Sequence, residues 1–393
     1  MLNLGFFSSW LPCKVRQQVR ELYFSTIIVN FGLAMVMFWE PVYLYQIGYS
    51  LQKIVSFYLV TYVAYMIFMP LGAKFAKRYG YEASLAIGTS LYALFYISLY
   101  FVQFYPPFFY VAALILTLQK LFYWPAYHAN FAKYIGKDEE GREISLMTVA
   151  TSLVYIIGPA LAGFIIAEFG YGVLFALVSI IFFASNIPIL ITKEVFIPEH
   201  FSYFKSFKAL FRQEHRQEFL AYLGFGEEFV VLVIWPVFIS IIISDVFDLG
   251  LVVALATLVT SMVTLYVGKL TDRNNKKNIL SLSSAFYSLS WFIRIFVANA
   301  TGVFFLDTFS RLGKNTLSVP LTTITYDRAK IISPDSHQHI MTRVVFFEMS
   351  LVIGKLLAIL LIYIALFFIP SEILAFKLIF VLAGAMTLLY MLL

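Results

Sequence analysis

The sequence predicts an all-α polytopic membrane protein whose twelve transmembrane helices form two parallel six-helix repeats around a central cavity. Three observations carry this. Of 393 residues, 61% are hydrophobic and only 13% charged, against about half and about a quarter in a soluble domain, and the mean hydropathy of +0.85 is spread along the whole chain. The apolar stretches run unbroken for about 20 residues, the length of a bilayer-spanning helix, instead of alternating over about ten as barrel strands do. Prolines, glycines and charges also recur at an offset of half the chain. So little sequence lies outside the spans that no extramembrane catalytic domain is expected.

In order, residues 1–21 read as a cytoplasmic N-terminal segment. Phe6, Phe7, Trp10 and Leu11 precede Lys14 as an interfacial cluster, without the pattern of a cleaved leader. Apolar runs broken by Gly, Pro, Asn or charge then fall at 22–45, 51–72, 83–104, 107–131, 145–167 and 171–192, and again at 218–243, 249–268, 278–298, 302–325, 340–367 and 371–392. These make an N-terminal bundle over 22–192 and a C-terminal bundle over 218–393. Between them lies a cytoplasmic linker, 193–217, where Phe201, Phe204, Phe207 and Phe211 alternate with Lys205, Lys208, Arg212 and Arg216 as in a basic amphipathic helix. Of the 28 Lys and Arg, 21 fall in the N-terminal segment and in or at the edge of the loops after even-numbered helices, six lie inside helices, and only Lys53 sits at the edge of an odd-numbered loop. The positive-inside rule places both termini in the cytoplasm, in what we expect is the cell membrane. The net charge of +6 is thus topological, and nucleic acid is not an expected partner.

The repeat is explicit. Pro41 and Pro236 are 195 positions apart, as are Pro125 and Pro320; Gly158 and Gly354 are 196 apart. Six helices per half give both halves the same orientation, which puts a cavity at their interface.

The loop GKLTDRNNKK at 268–277 resembles the signature of the major facilitator superfamily, G-x-L-x-D-R-x-G-R-R, with Asn275 in place of the second glycine. The first-half copy, AKFAKRYGYE at 73–82, keeps Arg78 and Gly80 but has Lys77 at the Asp position. Gly158 and Pro159, with Gly163, are similar to the helix-5 signature of antiporters in that superfamily. The resemblance implies gating or conformational roles for Gly268, Asp272, Arg273, Lys77, Arg78, Gly80, Gly158 and Pro159. It also implies a cavity lined by helices 1, 4, 7 and 10.

Ionisable side chains inside a membrane are costly and point to cavities or pairs. Asp307, Arg311 and Lys314 share one face of helix 10, with Asp307 and Arg311 expected to pair and Lys314 left as the freer cation. Lys120 shares a face with Tyr123 and Trp124 and maps by the repeat onto Asn315, beside Lys314. Glu227, Glu228 and Glu348 are the candidate carboxylates; Glu227 and Glu228 are adjacent, so one is expected to face the cavity. Glu348 and Lys355 share a face, and Glu40 precedes Pro41 near the outer end of helix 1. Arg294 and Lys377, near the outer ends of peripheral helices, read as snorkelling cations.

Substrate binding is therefore expected at Lys120, Tyr123, Trp124, Arg311, Lys314 and Lys355, and proton coupling at Glu227, Glu228, Glu348, Asp307 and Glu40. No histidine pair has metal-binding spacing and no nucleotide-binding loop occurs, so neither cofactor nor metal is expected, nor enzymatic activity. The expected partners are a small-molecule substrate, protons and the lipid bilayer, in a functional monomer. The expected function is alternating-access secondary transport. The helix-5 signature and the 19% aromatic content favour proton-coupled antiport of an amphiphilic compound. The alternatives are an importer or exchanger of a small anion held by Lys120, Arg311 and Lys314, and a non-cycling sensor or lipid-translocating protein.

Overall fold

A computed structural model describes residues 17–134, 140–191, 194, 201–271, 276–331 and 338–393. Among these there is no strand. The helices are α1 (Gln17–Val36), α2 (Trp39–Gln46), α3 (Leu51–Tyr79), α4 (Tyr81–Phe101), α5 (Phe108–Tyr134), α6 (Glu140–Ala184), α7 (Asn186–Ile191), α8 (Tyr203–Leu210), α9 (Arg216–Tyr222), α10 (Gly226–Phe229), α11 (Trp235–Ile242), α12 (Val246–Thr271), α13 (Lys276–Ile293), α14 (Ala300–Ile331), α15 (Gln338–Phe368) and α16 (Glu372–Thr387).

Among the described residues, nine helical stretches are long and apolar enough to cross a membrane. One of them, Ala150–Ile191, makes two passes around Gly170, whose φ of 79° breaks the helix. The other two passes are α12 and α14. α12 is apolar over Val246–Ser261, and the 32-residue α14 carries Asp307, Arg311 and Lys314 in its first half. Twelve passes result.

Proline shapes the first pass of each half. Pro41 has no N–H to give the carbonyl four residues back, and the pass breaks into α1 and α2 at Met37 and Phe38. Pro236 stands at the start of α11, after a π-helical turn over Val230–Ile234 that loosens the chain just past Glu227 and Glu228. Small residues set the closest crossings. A Cβ on Gly158 would lie 2.6 Å from the Ala34 Cβ of α1, and one on Gly250 of α12 would lie 2.6 Å from the Pro159 carbonyl oxygen of α6. A Cβ on Gly354 of α15 would lie 2.5 Å from the Leu223 carbonyl oxygen, in the first pass of the C-terminal half.

The halves meet along α6 against α12 and α3 against α15. α8 lies across α3 and α15, with the Tyr203 hydroxyl donating to the Ile67 carbonyl (2.8 Å) and Phe204 and Phe211 exposed.

Candidate functional site

A cavity of about 440 Å³ lies between the halves, within the size range of small-molecule sites. Its wall is aromatic, with tyrosines from α3 (Tyr58, Tyr62, Tyr65), α4 (Tyr92, Tyr96), α6 (Tyr155) and α14 (Tyr326) beside Trp124. Into this wall project Glu40, Lys120, His128, Glu228, Lys314, Glu348 and Lys355.

The C-terminal half neutralises its own charges. Lys314 contacts Glu227 and, at 3.3 Å, Glu228; Lys355 contacts Glu228 at 3.0 Å. Glu227 is fully buried behind the wall, where its carboxylate also accepts from Tyr287 (2.9 Å) and Tyr390 (3.3 Å). Of the two adjacent glutamates, Glu228 lines the cavity. Lys314 is not the freer cation that its spacing suggests: its stem is long enough to reach both carboxylates.

Glu348 joins the halves. Its carboxylate lies 3.0 Å from His128 Nε2 and accepts from the Tyr65 hydroxyl at 3.0 Å, both on N-terminal helices. The other imidazole nitrogen meets the Tyr326 hydroxyl at 2.8 Å. Among the described residues, His128 Nε2–Glu348 is the one contact within 4.0 Å between a basic and an acidic side chain that connects the two halves. Glu348 and Lys355 share the cavity face but take different partners.

In the N-terminal half, the Glu40 carboxylate accepts from Tyr58 (2.6 Å) and Tyr96 (3.1 Å). The Lys120 ammonium lies 5.4 Å from the centre of the Tyr62 ring. Among the described residues, no carboxylate lies within 4.0 Å of Lys120 and no cation within 4.0 Å of Glu40.

Several expected site residues lie elsewhere. Tyr123 is buried against α4, because Gly88 lacks the Cβ that would otherwise meet the Tyr123 backbone at 3.0 Å. Arg311 lines an adjoining cavity of about 510 Å³ among α1, α5, α6, α12 and α14, which shares Asn30, His128, Tyr155, Thr322 and Tyr326 with the first. Asp307 is buried outside both cavities, 2.5 Å from Arg311 Nε, 3.3 Å from Arg294 Nη2 and 3.0 Å from Trp235 Nε1. Arg294 does not snorkel. It is 3% exposed and stacked between Trp235 (3.9 Å) and Trp291 (4.1 Å), because Asp307 draws it inward and two indole faces replace its solvent. Lys377 is half-buried on α16.

Of the loop residues, Lys77 is buried at the end of α3 with its ammonium 5.9 Å from the Tyr81 ring, and Arg78 lies over Tyr79 (5.3 Å). Gly80 makes the turn into α4 at φ 108°. The Glu194 carboxylate accepts from the backbone N–H groups of Tyr81 (3.0 Å) and Glu82 (2.9 Å), capping that helix from the inter-half connection. Gly268 lies within α12. Asp272, Arg273 and the N-terminal aromatic cluster fall outside the described residues.

His128 and the tyrosines of α3 escaped the sequence reading, although the signal was present. Lys120, Trp124 and His128 recur every four residues, and Tyr58, Tyr62 and Tyr65 follow i, i+4, i+7.

No curated protein matches the chain. A family-level match described as Major Facilitator Superfamily covers residues 22–330, most of both halves, and it agrees with the all-helical bundle, the half-chain repeat and the cavity between the halves. The chain belongs to the Major Facilitator Superfamily, whose members are transporters.

Proposed function

We propose that the protein is a proton-coupled secondary transporter of the cell membrane that exports an amphiphilic compound by rocking residues 22–192 against 218–393. In this reading it works as a monomer with both termini cytoplasmic. The observation that supports coupling is the Glu348 carboxylate, held by His128 and Tyr65 of the opposite half. A proton taken up by Glu348 cancels its charge, so the carboxylate's hold on the His128 ring nitrogen and the Tyr65 hydroxyl loosens and the contact between halves weakens. Protonation therefore has a differential interaction with two arrangements of the halves, which is what a coupled cycle requires.

The aromatic wall favours an amphiphile. The competing small-anion reading needs Lys120, Arg311 and Lys314 together, whereas Lys314 is neutralised in the wall by Glu227 and Glu228 and Arg311 is paired with Asp307.

The test is proton flux in proteoliposomes holding a pH-sensitive dye, challenged with cationic, anionic and zwitterionic aromatic amphiphiles. Solute-driven proton movement is expected, and Glu348→Gln should lower it by about tenfold while binding persists. Proton flux that is unchanged in Glu348→Gln would remove Glu348 from the scheme.

A further inference from the structure

Among the described residues, two charged side chains of the cavity, of opposite sign, have no ion-pair contact within 4.0 Å. Glu227, Glu228, Lys314 and Lys355 form a cluster of two carboxylates and two ammoniums, and the Glu348 carboxylate is held by His128 and Tyr65. Lys120 and Glu40 are what remains. Lys120 has the Tyr62 ring for a neighbour; Glu40 has the Tyr58 and Tyr96 hydroxyls.

Their relative position follows from α3. Tyr58 and Tyr62 are four residues apart, so the groups they contact are displaced along that helix by about one turn, roughly 6 Å. The gap is too wide for direct contact and is walled by phenol rings, which attract cations through their faces and pack against flat apolar bodies. Lys120 and Glu40 attract each other only across this gap, and each lacks a counter-charge in contact. A purely cationic solute would leave Lys120 unpaired, and a purely anionic one would leave Glu40 so.

We propose that the solute is a zwitterion with an aromatic or apolar body, its cationic group at Glu40 and its anionic group at Lys120. This rests on the transporter reading and names the substrate class of that cavity. Trp124, one turn from Lys120 on the same face of α5, supplies a surface for the body.

A matched set of one indole body decides it: tryptophan (zwitterion), N-acetyltryptophan (anion) and tryptamine (cation). Titration calorimetry on protein in nanodiscs should show tryptophan binding about tenfold or more tightly than either derivative, the loss expected for one charge-assisted contact. Lys120→Met should bring tryptophan down to the level of tryptamine. Glu40→Gln should bring it down to that of N-acetyltryptophan. Tryptamine or N-acetyltryptophan binding as tightly as tryptophan, or no binding by any of the three, would overturn the proposal. The ranking on the unmutated protein decides even where a variant fails to fold. Accessibility of single cysteines from the two sides of the membrane, measured without solute, tests alternating access independently, so either reading can fail while the other stands.

Discussion

Glu228 and Asp307 show how differently two charged groups serve the same half. Glu228 lies between Lys314 and Lys355 at the cavity wall, with a quarter of its side chain accessible. Asp307 is nearly sealed, with Arg294 at 3% and Arg311 at 32% side-chain exposure. Removing one member of a buried pair strands the other charge, at about 3–5 kcal/mol. Asp307→Asn should therefore lower stability by that amount in thermal unfolding, and Glu228→Gln by less, because water reaches the Glu228 carboxyl itself. An equal or reversed order would mean that the Asp307 cluster does not hold the bundle. These residues were legible as intramembrane charges but not as pairs. Spacing along one helix gives the face a side chain shares; it says nothing of how neighbouring helices are rotated, and that rotation gave Lys314 two carboxylates and drew Arg294 inward. Tyr123 was misplaced for the same reason. It adjoins the Lys120 face, but Gly88 lets α4 approach and cover it.

Among the elements, the contact of α6 with α12 is set by glycine. Gly250 lets the Pro159 carbonyl come so near that any Cβ would sit 2.6 Å from it, and a Cβ on Gly163 would lie 3.3 Å from the Gly250 Cα. Gly250→Leu forces the helices apart across the seam between halves. The expected cost is about 1–3 kcal/mol, the usual range for overpacking, seen as a lower melting temperature in detergent. Gly48→Ala should cost less than that steric figure: no atom lies within 4 Å of its Cβ position, and its penalty comes from a φ of 94° alone. Element-level features were largely legible, since Pro41, Pro236 and Gly158 announce kinks and close crossings by their chemistry. The capping of α4 by Glu194 was not. It comes from a segment more than 100 residues away, and no local pattern links them.

In the whole molecule, the two halves touch on either side of the cavity. On the side of the basic loops, His128, Tyr65 and Tyr326 surround Glu348 and meet across the seam. On the other, the Ser56 and Tyr363 hydroxyls are hydrogen-bonded, Tyr363 donates to the Gln52 carbonyl (3.2 Å) and Gln52 donates to the Leu366 carbonyl (3.2 Å). Two sets of polar contacts on either side of a cavity of about 440 Å³ suit a structure that opens one set while keeping the other. Twelve passes and a half-chain repeat could be read directly because the bilayer imposes length and apolarity on every span. Partners across the seam could not, since they depend on how the halves dock.

Alternating opening is the central claim, and one labelling experiment tests it most directly. With Cys13 replaced by serine, Leu116→Cys places a lone thiol in the cavity wall, to be challenged by an impermeant maleimide in right-side-out and inside-out vesicles. Ser56→Cys and Tyr363→Cys, joined beforehand by a short bifunctional reagent because Tyr363 leaves a gap too long for a disulfide, lock the far side. The account predicts labelling from both sides in the unlocked protein. It also predicts labelling only from the side of the basic loops after locking. Access from one side alone in the unlocked protein, or access unaffected by the lock, would contradict it.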